Sequence, residues 1–192
     1  MLPEPKPYLS PEEYLAIERA SEGKSEYLDG EMFAMAGASE THNLIVSNLI
    51  RALGNRLAER PCRVYPGDLR ILVEATGLYT YPDVSVVCGE PRLVRDRHQD
   101  NLLNPQLLIE VLSPSTEAFD RGRKFEHYRT IPSLLEYLLV AQDKPSLELF
   151  LREQGGAWRF SAIQGIDSAL TLPTLEIEQP LVEVYRKVDF GA

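Results

Sequence analysis

The sequence predicts an α/β fold: a mixed sheet crossed once by a helix, with a hairpin before the core and another after it. Three observations carry this reading. Strand-like apolar runs recur near residues 63 to 66, 69 to 74, 81 to 88, 106 to 112 and 134 to 141. A helical segment near 116 to 130 separates the last two of them, and Gly-containing turns close short alternating runs on either side of the core. Strand, helix and strand in that order form a parallel crossover unit, right-handed by the twist of the chain. No repeat, low-complexity tract or linker divides the 192 residues, so a single domain is expected over 1–192, with its core at about 39–141.

Each element has a local cause. Ser10 followed by Pro11 and Glu13 forms a capping box with proline at the first helical position, which places a short helix over Pro11 to Ala20. The run "EYLDGEMFAM" reads as a hairpin turning at Asp29-Gly30. Ser39 caps the clearest helix, in which Leu44, Ile45, Leu49, Leu53 and Leu57 recur at helical spacing until Pro61 ends it. A second helix, capped by Ser115, is expected from Thr116 to Thr130, stopping before Pro132. Two strands near 147 to 152 and 157 to 163 make a hairpin around Gly155-Gly156, and residues 165 to 192 read as short strands and a helical turn.

Cys62 and Cys88 lie far from any metal-type spacing and read as reduced core thiols, which points to the cytoplasm. The stretch "MLPEPKPYLSPEEY" lacks the basic start and apolar run of a signal peptide, and no run approaches the ~20 apolar residues of a membrane span. A soluble protein with no membrane partner is expected. The net charge of −9 argues at first sight against a polyanionic partner. Its distribution softens that argument, because residues 1 to 40 carry −6 and residues 130 to 192 carry −4, while residues 41 to 75 are +2 and residues 92 to 129 are +1. The middle of the chain is thus able to meet a phosphate backbone.

The chemistry gathers around "LLIEVLSPST", where Glu110 interrupts a strand that is otherwise apolar on both faces. A carboxylate in such a place needs a cation or several donors. A salt bridge to Arg70 or Arg123 is the plain solution. In "YPDVSVVC", Asp83 opens a neighbouring strand on its less apolar face, and pairing of the two strands brings the carboxylates together. Two converging carboxylates repel unless a cation lies between them, and hard oxygen ligands favour Mg²⁺ or Mn²⁺. On the following helix, Glu117, Asp120, Arg121, Lys124 and Tyr128 share one face, with Ala118, Gly122 and Phe125 as the packing stripe opposite. Lys124 is thereby placed to reach back toward Glu110 and to offset charge on a phosphate.

With "YLDGE" and a His-containing helix upstream, the ordered motifs "YPDVSVV", "LLIEVLSPST" and "DRGRKFEHY" resemble the Uma-type putative restriction endonucleases, a branch of the PD-(D/E)xK nucleases. The resemblance covers roughly Tyr8 to Gln142. It implies a restriction-endonuclease-like sheet of helix, three-stranded antiparallel meander, crossover helix and parallel strand, together with a divalent metal. By position it makes Asp83 and Glu110 metal ligands, with the Val111 carbonyl as another. The lysine expected two residues after the second acid is Leu112 here, and its role is carried to Lys124. Glu31 is an accessory acid near the metal by the same resemblance, or else a solvated strand residue. His42 stands near a phosphate or faces water, and Asp68 is a turn residue or supports the site from behind. The expected activity is metal-dependent hydrolysis of nucleic acid, DNA foremost, by a homodimer. A catalytically inactive nuclease-fold binding or scaffold protein is the alternative. An acid-base sugar hydrolase is disfavoured because the only tryptophan, Trp158, stands outside the constellation.

Overall fold

The period-two alternation of the strand carrying Glu110 organises the molecule. The computed structural model describes residues 8–35, 37–95 and 100–191. Residues 1 to 7 of the stretch "MLPEPKPYLSPEEY" lie outside them. In chain order the elements are α1 (Pro11–Ala20), β1 (Ser25–Leu28), β2 (Glu31–Ala34), α2 (Glu40–Leu57), β3 (Cys62–Pro66), β4 (Arg70–Val73), β5 (Leu78–Thr80), β6 (Val84–Cys88), β7 (Leu93–Arg95), β8 (Asp100–Leu102) and β9 (Leu107–Val111). There follow α3 (Glu117–Phe119), a π-helical turn (Asp120–Lys124), α4 (Phe125–Tyr128), β10 (Glu136–Val140), β11 (Ser146–Arg152), β12 (Trp158–Gln164), β13 (Ala169–Leu172), β14 (Ile177–Pro180) and α5 (Leu181–Val184).

The main sheet has the order β12-β11-β10-β9-β6-β3. Neighbours in it run antiparallel except β9 and β10, which are parallel and joined through the crossover helices. This is the mixed α/β fold that the sequence predicts, with β3, β6 and β9 as the antiparallel meander. Leu107, Ile109 and Val111 face one apolar layer with Ile45, Leu49, Leu53 and Leu57 of α2, while Leu108 and Leu112 face a second layer with Tyr128 and Tyr137. Burying each such aliphatic side chain contributes about 1.5–3 kcal/mol, so α2 is fixed chiefly by its apolar face.

Three local features depart from the sequence reading. First, β4 and β5 leave the meander and pair with the N-terminal hairpin in a second sheet of order β2-β1-β5-β4-β8-β7, in which the charged loop after β6 contributes the hairpin β7–β8. Second, the expected continuous helix over 116 to 130 is broken by the π turn, and its N-cap is Thr116, which makes no side-chain cap bond, rather than Ser115. A π turn takes one more residue than an α turn, which changes the side chains that align. The packing stripe is accordingly reversed: Ala118 and Gly122 are exposed, Phe125 alone packs, and Asp120, Lys124 and Tyr128 go inward.

Third, Cys62 and Cys88 are not separate reduced thiols. Antiparallel pairing of β3 with β6 sets them opposite each other, and they form a disulfide. Their distance in sequence hid a partnership that only strand register creates.

Two glycines permit close approach near the site. Gly30 turns the β1–β2 hairpin at φ 83°, and a Cβ there would collide with the ring of Tyr8. A Cβ on Gly67 would stand 3.3 Å from the Pro82 carbonyl and 3.6 Å from the Asp83 Cα, so the β3–β4 turn packs directly on the segment that opens β6.

The disulfide spans a sequence separation of 26 residues. Reducing it is expected to lower unfolding free energy by about 3 kcal/mol through the freedom returned to the unfolded chain. Urea melts with and without reductant measure this, and coincident curves would contradict it.

Candidate active site

Glu110 finds its partners on the crossover segment. Lys124 Nζ lies 2.9 Å from Glu110 Oε1, and the Tyr128 hydroxyl donates to the same oxygen at 2.9 Å. The π turn carries Lys124 inward, and the Tyr137 hydroxyl anchors that turn by donating to the Asp120 carbonyl at 3.1 Å. Two more acids meet the ammonium: Glu26 of β1 at 3.0 Å and Asp120 at 3.5 Å. All of these side chains are buried. Arg70 and Arg123, the other cations considered for Glu110, are elsewhere. Arg70 donates to Asn101 and lies against the rings of Tyr14, Tyr79 and Tyr81, and Arg123 is exposed.

Asp83 approaches from the other side. The register Val84↔Ile109 continues to set Asp83 beside Glu110 at the open end of β6 and β9. Its Oδ2 accepts the Val111 N–H at 2.7 Å and lies 3.1 Å from His42 Nε2. His42 arrives there because Ser39 caps α2, accepting the His42 N–H at 3.1 Å, while the Ser39 hydroxyl also bonds Gln142 Oε1 at 2.8 Å just past β10. The first turn of α2 is thus tied to the same edge of the sheet.

Each of the two central acids has one crowded oxygen and one open one. Asp83 Oδ2 and Glu110 Oε1 take the contacts just described, and no described residue hydrogen-bonds Asp83 Oδ1 or Glu110 Oε2. His42 Nδ1 is likewise buried without a hydrogen-bond partner among the described residues.

The electrostatics are those of too many acids for the cations present. Burial raises the Glu110 pKa well above its ordinary value; Lys124 opposes this, and the charges of Asp120, Asp83 and Glu26 add to it. Burial also raises Asp120, again against the pull of Lys124. For Lys124, burial acts to lower the pKa, but Glu110, Glu26 and Asp120 together hold it well above the ordinary lysine value, so the ammonium stays charged. Burial would lower His42, yet the Asp83 carboxylate, with help from the Val111 carbonyl, raises it.

Of the residues singled out in the sequence, Asp83, Glu110, Lys124, Tyr128 and His42 converge, His42 by touching Asp83 rather than facing water. Two do not join them. Glu31 opens β2 opposite Leu28 and is absent from the described ion pairs of Lys124. Asp68 is an exposed turn residue that pairs with Lys24. Sequence reasoning missed Glu26 and the inward turn of Asp120. The signal for Glu26 was the one that found Glu110, a carboxylate within a strand whose four residues are all buried.

The family model described as "Uma2: Putative restriction endonuclease" matches residues 11–185. Two uncharacterized proteins of Synechocystis sp. are similar along nearly their whole length. One, slr1290, is 40% identical over 187 residues, which is 97% of this chain and 96% of the relative. The other, sll1609, is 36% identical over 169 residues, or 88% and 95%. Among solved structures, a putative nuclease belonging to DUF820 from Anabaena variabilis shares the fold with a TM-score of 0.73 at 19% identity, covering 91% of this chain and 96% of that one.

The raised carboxyl groups set a pH dependence. Glu110 and Asp120 hold their protons in the folded protein above the ordinary 4.5 and 3.8, so their contribution to stability is complete below those values and is lost as pH rises through the folded ones. The metal-free protein is expected to show a urea midpoint that falls as pH rises above the ordinary carboxyl range, with Asp120→Asn flattening the fall. A midpoint that climbs instead would contradict the assignment.

Proposed function

The chain belongs to the Uma2 family of putative restriction endonucleases, and from that premise we propose that it is a divalent-metal-dependent endonuclease hydrolysing phosphodiester bonds in DNA. The observation that carries this reading is the pair of open oxygens, Asp83 Oδ1 and Glu110 Oε2, on neighbouring strands beside a charged lysine. Repulsion between the two carboxylates is met by hydrogen bonds only on their other oxygens.

Among the described residues, no group of three or more His, Cys, Asp or Glu is arranged to hold a metal. The smaller set here still fits Mg²⁺ or Mn²⁺, which are commonly held by one or two carboxylates and otherwise by water and substrate phosphate. Asp83 and Glu110 would be the carboxylate ligands and the Val111 carbonyl a third oxygen. The donors are all hard oxygens, and both cysteines are bonded to each other away from the site. Bound there, the ion would supply Lewis-acid polarisation of the phosphate and a more acidic water.

The chain's own groups then have distinct tasks. His42 and the Val111 N–H hold Asp83 Oδ2, and Tyr128 holds Glu110 Oε1, so that the remaining oxygens keep their direction. The Lys124 ammonium orients the attacking water and offsets charge developing on the phosphate. Leu112, buried in the second apolar layer, has no such capacity, and its replacement of lysine, together with the acidic charge of the chain, favours an inactive binding protein. Against that stands Lys124, 2.9 Å from Glu110, supplying a cation from the helix instead. Glu31 and Asp68 take no part in the reaction in this reading. A homodimer would present two sites to the two strands of a duplex.

Plasmid nicking with Mn²⁺ tests the proposal. Asp83→Asn and Glu110→Gln are expected to lose both cleavage and Mn²⁺ affinity. Lys124→Ala should keep the affinity while turnover falls by roughly 10²–10³-fold, as when one preorganised donor is lost. Cleavage by Asp83→Asn at the wild-type rate would remove the assignment. With a net charge of −9, duplex binding in EDTA at physiological salt should be weak, and tight binding measured by fluorescence anisotropy would count against the metal bridge.

A further inference from the structure

We propose that Glu26 is a positioning residue of this active site, fixing the Lys124 ammonium against Glu110 and tying it to the strand that opens at Asp83. The inference rests on the reading of Asp83, Glu110 and Lys124 as the reaction centre.

Glu26 touches both parts of that centre. Its Oε1 lies 3.0 Å from Lys124 Nζ, and it also accepts the Thr80 hydroxyl at 2.5 Å and the Tyr81 N–H at 3.3 Å. Tyr81 is two residues before Asp83, so one carboxylate oxygen joins the lysine to the approach of the metal-binding strand. The hairpin is held in place independently, by pairing of β1 with β2 and with β5.

Stability alone does not account for Glu26. One buried ammonium is neutralised by one carboxylate, yet Lys124 faces three, from β1, β9 and the π turn. The second and third add negative charge to a buried place, and Glu26 is among the groups that raise Glu110. What Glu26 adds is geometric. Asp120, on the same turn as Lys124, moves with it, whereas Glu26 and Glu110 come from two different sheets and hold the ammonium from outside that turn.

Glu26→Gln separates this role from a structural one, because glutamine keeps an oxygen for Thr80 and Tyr81. In the full-length protein, the variant should lower kcat for Mn²⁺-dependent plasmid nicking about tenfold or more, with KM for DNA and the Kd for Mn²⁺ alone unchanged and the Tm not lowered. In a Lys124→Ala background it should cause no further loss, since both changes remove one interaction. The Lys124 ammonium should also give a slowly exchanging NMR signal in the wild type that broadens in Glu26→Gln. Wild-type kcat in the variant, losses that multiply with Lys124→Ala, or a lower Tm that accounts for the loss would overturn the proposal. If the wild type itself fails to cleave, the nuclease reading falls, and the exchange signal decides the placement of Lys124: unchanged in Glu26→Gln, it overturns the proposal as well.

Discussion

The ammonium of Lys124 is the contact on which the centre of this molecule depends. Glu26, Glu110 and Asp120 come from a hairpin, a central strand and a π turn, and without a cation among them their burial would be prohibitive. One lysine therefore clamps three elements that share no continuous backbone pairing. The inward face of the crossover segment carries Asp120, Lys124 and Tyr128, and the π turn aligns all three with Glu110.

The site is graded in access. The Lys124 and Glu110 side chains are each 6% exposed, whereas His42 and Asp83 are 14% and 21% exposed. A substrate phosphate would therefore approach from the side of Asp83 and the first turn of α2, with the lysine beneath. That side is the open end of β6 and β9, where a strand ladder ends and backbone groups become free to turn toward a ligand. The acidic ends of the chain make non-specific attraction to a polyanion weak, so the proposed function places recognition on the few groups at this opening and on an ion between them.

Membership in the Uma2 family and the shared fold of the Anabaena variabilis structure account for the scaffold. They do not by themselves say what the scaffold does, since one fold hosts many chemistries. The functional argument lies in the two carboxylates with one open oxygen each and in the lysine that replaces the motif position taken by Leu112. In the proposed reading a cation supplied by Lys124 takes the place of one at position 112, since Leu112 packs in the layer of Tyr128 and Lys124 lies 2.9 Å from Glu110.

The sequence by itself determined what is local. Ser10 and Ser39 announce the two capped helices, Asp29-Gly30 announces the first hairpin, and the alternation of residues 107 to 112 already shows that Glu110 needs a partner. Side-chain direction in strands and caps in helices are set within a few residues, which is why they were legible. Lys124 as that partner was readable from the face it shares with Tyr128, whereas Glu26 was decided only by tertiary structure, because it lies 84 positions before Glu110 in the chain. The same holds for Cys62 and Cys88, brought opposite each other by register, and for the π turn, which interrupts the continuous helix expected over 116 to 130. Charge pairing at a distance and strand register are properties of packing, and a linear pattern carries neither.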